Sequence, residues 1–177
     1  TSQAVPNPIP GLKGLLQIDA GGFHTVAVKT DGTVWTWGGN GSGELGDGTL
    51  SAHNVPMQAA ITSVVAIVAG ANHVLALKSD GTVWCWGINN LGQVGDGTTT
   101  QRNTPVQVTG LTGVSAIAGG GYHCVALKPD GMVWTWGSNS NGQLGDGGAV
   151  SRSAPVQAGS ATNWASVSGD FTSWMST

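Results

Sequence analysis

Charge is scarce in this sequence: Lys, Arg, Asp and Glu make up 8% of its 177 residues, six basic against nine acidic, for a formal net charge of −3. Neither Lys nor Arg clusters, so the electrostatic footprint of a nucleic-acid binder or of an anionic-membrane binder is missing, and neither is expected as a main partner. No run of about 18 apolar residues occurs, so no spanning helix is expected. Thr1-Ser2-Gln3 opens no basic-then-apolar signal segment, and the missing initiator Met suggests a processed or excised piece. The two cysteines, Cys85 and Cys124, are too few for a disulfide framework. No lysine follows a glycine run ahead of a helix, which removes a phosphate loop. No Gly-x-Ser-x-Gly elbow occurs, and no Ser or Cys has His and carboxylate partners placed by motif, so an enzyme is not expected.

What is abundant is glycine, with 30 residues, alongside eight tryptophans. Regularly spaced Val, Ile, Leu and Trp supply the core formers that disordered chains lack, so the glycines read as punctuation. The punctuation is periodic. Gly21-Gly22-Phe23-His24-Thr25-Val26-Ala27-Val28-Lys29 returns as Gly70 to Lys78 and as Gly120 to Lys128, at a period of 49 and then 50. The same step carries Asp31-Gly32 to Asp80-Gly81 and Asp130-Gly131, and Trp35-Thr36-Trp37-Gly38 to Trp84-Cys85-Trp86-Gly87 and Trp134-Thr135-Trp136-Gly137. It also carries Gly46-Asp47-Gly48 to Gly95-Asp96-Gly97 and Gly145-Asp146-Gly147.

Within each copy the apolar runs are too short for helices, are rich in Val, Ile, Trp and Thr, and end at Gly and Asp-Gly turns, the signature of strands and hairpins. His123 to Lys128 and Val133 to Trp136 flank Asp130-Gly131, so they are predicted to pair antiparallel. A strand over Val114 to Ala118 precedes them. A short proline-led strand follows (Pro105 to Val108, matched by Pro56 to Gln58 and Pro155 to Gln157), and its missing N–H places it at a sheet edge. Each unit is then a four-stranded antiparallel sheet. Trp35 and Trp37, two residues apart, leave a strand on one face, as do Trp84 with Trp86 and Trp134 with Trp136. Stacking sheets around an axis covers these aromatics, which predicts an all-β propeller with the six tryptophans in the blade core.

These motifs, with Asn141-Gly142-Gln143-Leu144-Gly145 as a close fit to a further one, resemble the repeat of the regulator of chromosome condensation family over residues 15 to 157. The resemblance implies propeller blades, usually seven, in proteins that act as exchange factors for a small nuclear GTPase, as modules of ubiquitin ligases, or as secreted bacterial binders. Its motifs specify fold far better than function. The predicted division is a terminal strand of a preceding repeat at 1–14, repeats at 15–63, 64–113 and 114–163, and a partial repeat at 164–177. Val5 to Ile9 and Trp164 to Met175 are expected to be completed by other polypeptide, either a second copy or a longer array, with Trp174 in a buried contact.

His24, His73 and His123 invite a metal or base reading, but sheets about 10 Å apart hold equivalent side chains too far apart for zinc bonds of about 2.0–2.1 Å. They are expected to be structural, each bonding to a neighbouring loop. His53, unrepeated in a polar loop, is expected in solvent. The loops around Asp47, Asp96 and Asp146 carry too few carboxylates for calcium and read as self-bonding turns. No metal or cofactor is expected. Cys85 and Cys124 read as small buried residues, and the strand faces leave a disulfide between them open. The resulting expectation is a non-enzymatic protein-binding scaffold whose partner-specific loops carry Leu50, His53, Thr100, Arg102, Val150 and Arg152. Guanine nucleotide exchange and a structural role in a longer secreted or surface array are the alternatives. Poverty in Lys and Glu suggests an extracellular or cell-surface bacterial setting, with self-association or membership of an array.

Overall fold

The computed structural model describes residues 8–9 and 11–168, and within them β-strands and no helix. The strands are β1 (Leu15–Ala20), β2 (His24–Lys29), β3 (Val34–Gly38), β4 (His53–Gln58), β5 (Val64–Ala69), β6 (His73–Lys78), β7 (Val83–Gly87), β8 (Arg102–Gln107), β9 (Ala116–Gly119), β10 (His123–Leu127), β11 (Val133–Gly137) and β12 (Arg152–Gln157). Consecutive strands form three antiparallel sheets, β1-β2-β3-β4, β5-β6-β7-β8 and β9-β10-β11-β12. These are three blades of a β-propeller, as the repeat predicts.

The Asp-Gly turns close the central hairpins. Asp31 Oδ1 accepts from the Thr33 backbone N–H at 2.9 Å and hydroxyl at 2.6 Å, while Gly32, at φ 79°, donates its N–H to the Lys29 carbonyl. The proline-led strands do lie at sheet edges, but they begin earlier than the sequence predicts. Pro56, Pro105 and Pro155 fall inside β4, β8 and β12, because His53, Arg102 and Arg152 already pair with Gly38, Gly87 and Gly137 across a register shift. At the C-terminal side, residues 161–168 form no strand and Trp164 is 52% exposed, since no β10-like strand lies beside them among the described residues. The expectations for Trp174 and for most of the Val5 to Ile9 strand lie outside the described residues.

Period-two alternation sorts each blade's side chains between its neighbours. In the second blade Val74, Ala76 and Trp86 look back and join Val26, Val28, Val34, Val64 and Ile67 in one buried cluster. Leu75, Leu77, Val83 and Cys85 look forward and join Val114, Cys124, Ala126 and Trp136 of the third. Both faces are covered, which is why β6 is apolar from Val74 to Leu77 rather than alternating. Truncating a fully buried indole such as Trp86 to alanine costs about 3–5 kcal/mol.

Polar ties fix the angle between blades. Trp86 Nε1 donates to the Glu44 carbonyl at 2.9 Å and Trp136 Nε1 to the Gln93 carbonyl at 3.0 Å, so the second Trp of the motif plugs into the loop of the preceding blade. The first Trp stays nearer the surface under a lysine: Lys29, Lys78 and Lys128 Nζ lie 4.1, 5.5 and 5.2 Å from the ring centres of Trp35, Trp84 and Trp134. Between the first two blades, Gln17 Nε2 donates to the Ile67 carbonyl at 2.8 Å and Gln17 Oε1 accepts the Ile67 N–H at 3.0 Å. Asp19 Oδ2 accepts the Ala69 N–H at 2.9 Å. Ala66 and Val68, the matching residues of β5, have nothing to offer in return, and the second joint is apolar there.

Candidate interaction face

Antiparallel order puts the β1–β2 turn and the long β3–β4 loop of every blade at one end of its strands, and the Asp-Gly hairpin at the other. The long loop is held by a buried asparagine. Asn89 Oδ1 accepts the Val94 N–H at 2.9 Å, and its Nδ2 donates to the carbonyls of Thr98 and Thr100 at 3.1 and 3.0 Å. Asn40 and Asn139 make the same set. Sequence reading takes the Asp and Asn of these loops as turn-stabilising, which the Oδ1 contacts bear out, but does not single out Asn40, Asn89 and Asn139 at the repeat spacing.

The loop aspartates face their own loops, where they pair with three of the candidate binding residues. Arg102 Nε and Nη2 both reach Asp96 Oδ2, at 2.7 and 2.6 Å. Arg152 does the same to Asp146 Oδ2, at 2.7 Å from each nitrogen. His53 is the first-blade counterpart at spacings of 49 and 50, with Nε2 2.8 Å from Asp47 Oδ2. It is half-buried at the start of β4, not an unrepeated loop residue in solvent. Burial pushes the Asp96 carboxyl up, but hydrogen bonds from Thr98 and Arg102 outweigh it and hold it below the usual carboxylate range. These three side chains brace the loop while staying 28%, 33% and 42% exposed, in the order His53, Arg102 and Arg152. Leu50, Thr100 and Val150, by contrast, are exposed.

The most exposed large side chain at this end is one that sequence reading left unassigned. Phe23, in the β1–β2 turn, is 82% exposed, and Tyr122, its third-blade counterpart, is 47% exposed. Their second-blade equivalent is Asn72, whose Nδ2 donates to Glu44 Oε1 at 3.0 Å.

The histidines sit in the joints between blades and do not bond to loops as expected. Both ring nitrogens of His24 lack a hydrogen-bond partner among the described residues, as does Nδ1 of His73. His73 Nε2 lies 3.3 Å from Cys124 Sγ of the next blade. These rings are kept neutral: burial, reinforced by the other two histidines, lowers the His73 pKa to about 3, and burial lowers those of His24, against the nearby carboxylates of Glu44 and Asp19, and of His123. Cys85 and Cys124 are both free and buried, and both thiols point at the Gln93 carbonyl, at 3.5 and 3.4 Å. Burial pushes the Cys124 thiol up. Among the described residues no three His, Cys, Asp or Glu side chains gather as a metal site would require.

The sequence profile described as "Regulator of chromosome condensation (RCC1) repeat" matches residues 31–77, 80–127 and 130–169, and a second profile of the same description matches 16–44, 64–93 and 114–143. The chain belongs to the RCC1 repeat family. The first of these RCC1 units runs from β3 to β6, so it straddles two blades and includes the joint between them. Relatives include the RCC1 domain-containing protein RUG3, mitochondrial, of Arabidopsis thaliana, 40% identical over 55 residues, which are 30% of this chain and 12% of that protein. Human E3 ubiquitin-protein ligase HERC2 is 42% identical over 57 residues, 31% of this chain and 1% of that protein. Among solved structures, Prp20p of Saccharomyces cerevisiae superposes with a TM-score of 0.76 at 23% identity, over 86% of this chain and 40% of that one. Human WBSCR16 superposes with a TM-score of 0.78 at 26% identity, over 89% of this chain and 42% of that one. The chain thus spans less than half the length of these RCC1 proteins.

Proposed function

We propose that the chain is a non-enzymatic protein-binding scaffold that engages its partner through the end of the blades carrying the β1–β2 turns and β3–β4 loops. The observation that supports this is the gathering of exposed apolar side chains there: Phe23 at 82%, Val150 at 68%, Leu50 at 55% and Tyr122 at 47%. Large apolar groups left in water on short turns, as with Phe23 and Tyr122, and on loops braced by buried asparagines and ion pairs, as with Leu50 and Val150, are what a preformed interface needs, and aromatic residues are the usual anchors of one. Members of the repeat family serve as binding or exchange modules, and the solved Prp20p structure is described with its binding to Gsp1p and histones. An extracellular or cell-surface setting, suggested by composition alone, accompanies this proposal.

The test is a photocrosslinking amino acid placed at Phe23 or Tyr122, compared with the same group at Asp31 or Asp80 on the opposite end. A discrete protein adduct from the first pair and none from the second is expected, and the reverse pattern would move the interface. Nucleotide release from small GTPases is measured alongside, and acceleration above background would replace the scaffold with an exchange factor.

A further inference from the structure

The loop end of the blades carries a charge that the fold does not require. Glu44 Oε2 accepts the Ser42 N–H at 2.7 Å and closes the tight turn of the first β3–β4 loop. In the other two copies Gln93 and Gln143 do the same with Oε1, accepting the N–H of Leu91 at 2.8 Å and of Asn141 at 2.9 Å. A neutral acceptor therefore suffices for the turn. Glu44 nevertheless places a carboxylate there at 2% exposure, its other oxygen held by Asn72 Nδ2 of the second blade at 3.0 Å. Sinking a charge among neutral donors costs free energy that a glutamine avoids. Asp19 is a second surplus carboxylate. It takes the N–H groups of Ala20 and Ala69, both at 2.9 Å, at a place where β5 and β9 have Val68 and Ala118.

Among the described residues no cation answers these two groups. All four lysines lie at the opposite end of the strands: Lys13 precedes β1, and Lys29, Lys78 and Lys128 cover Trp35, Trp84 and Trp134. Both arginines reach the loop end, but each is committed to the aspartate of its own loop. The His24 ring, on which Glu44 and Asp19 both act, is 3% exposed and kept neutral by burial.

The same end holds apolar side chains that stay in water at joints which are complete. Tyr122 is 47% exposed although Gly121 beside it accepts the Ala71 N–H of the second blade at 2.9 Å. Leu50 is 55% exposed although Asn103 of the second blade donates to the Gly48 carbonyl in the same loop at 2.8 Å. The tryptophan rings at the far end each have a lysine, whereas the face of Tyr122 has no cation within the chain.

We propose that the partner presents a cationic protein segment to this end, with lysine or arginine side chains lying over the Glu44 and Asp19 carboxylates and the Tyr122 ring, and apolar side chains covering Leu50. The proposal rests on the loop end being the binding face. Charge complementarity selects the occupant: an acidic segment would meet uncompensated carboxylates, and a neutral apolar one would bury them unanswered.

Peptides selected from a random library on the whole chain are the probes. Those enriched are expected to carry a net positive charge, to crosslink to a photoreactive group at Tyr122 but not at Asp80, and to bind Glu44→Gln about three- to fivefold more weakly. Glu44→Gln should melt with the unaltered protein, since Gln93 and Gln143 already serve the same turn; Asp19→Asn takes its place if it does not. A selection that enriches nothing, or only neutral or acidic peptides that crosslink at Tyr122, or cationic ones that bind Glu44→Gln and Asp19→Asn undiminished, would overturn the cationic partner and leave the binding face standing. Crosslinking at Asp80 alone would remove the face itself, and this proposal with it.

Discussion

Cys124 Sγ lies 3.3 Å from His73 Nε2 across the joint between the second and third blades, a thiol facing a neutral imidazole. Burial keeps that imidazole neutral down to about pH 3, whereas in the unfolded chain a histidine takes up its proton near pH 6.5. Below about 6.5 the unfolded state binds a proton that the folded state refuses, so stability is full above that pH and falls as the pH drops. For His73 the loss is about 1.4 kcal/mol per pH unit. His24 and His123, also lowered by burial, add to it. The carboxylates of Asp31, Asp47, Asp80, Asp96 and Asp146, all held below their usual range, lose their contribution only below about pH 4. The window between about pH 4 and 6.5 therefore belongs to the histidines. Urea midpoints across it should fall steadily, and His73→Gln should make the fall shallower; an unchanged slope would mean that His73 protonates normally.

A single departure from the repeat gives a second prediction. Trp35 Nε1 donates to Thr33 Oγ1 at 3.2 Å and Trp84 Nε1 to Thr82 Oγ1 at 3.1 Å. The third repeat has Met132 at that place, and Trp134 Nε1 is buried without a partner among the described residues. Met132→Thr restores the acceptor and the Asp-Thr turn of the other two hairpins. It should stabilise the protein by about 0.5–1.5 kcal/mol, the net worth of one hydrogen bond. The same exchange made in reverse, Thr82→Met, should destabilise it by a similar amount, and thermal melts of both variants decide.

Arg102 separates bracing from binding. Its two nitrogens on Asp96 Oδ2 pin the start of β8 to the loop, and the Asp96 side chain is 9% exposed. Arg102→Ala leaves that carboxylate short of its donors, for an expected loss of about 1–2 kcal/mol. Leu50→Ser and Val150→Ser, whose side chains stand in water, should leave the melting temperature within error. Equal melts for all three variants would return Arg102 to the set of free surface residues.

The blades were legible because their cause is repeated: Trp-x-Trp, Asp-Gly and Gly-x-x-His recur at one spacing, and strand alternation then dictates which side chains each neighbour must cover. The bracing of the loops was harder to read. His53 matches Arg102 and Arg152 in position, but the chemical unlikeness of imidazole and guanidinium hid the match until all three appeared on an aspartate. Gln17 and Asp19 were out of reach, since they occur in one copy only and bond to backbone atoms 50 residues away. The exposure of Phe23 was equally unreadable. An aromatic beside a buried histidine could face either way, and the tight Gly-Gly turn, not the residue type, sends it into solvent.

The Gly-x-x-His motif has a steric origin that mutation can isolate. A Cβ on Gly70 would lie 2.1 Å from His73 Cε1 and 2.4 Å from Nδ1. Gly70 does not have a positive φ, so alanine is acceptable to its backbone dihedrals, and the three nearest atoms an added methyl would meet all belong to the ring. His73 is 1% exposed and pressed against the next blade, with no room to retreat. Gly70→Ala should therefore cost about 1–3 kcal/mol as overpacking. His73→Ala removes the ring that blocks the new methyl, so the double variant should be more stable than the sum of the two single losses, by at least 0.5 kcal/mol or so in a double-mutant cycle. Gly41→Ala, where nothing lies within 4 Å of the added atom, serves as the control and should be near neutral. Strict additivity of Gly70→Ala and His73→Ala would show that the glycine is there for its backbone and not for the histidine.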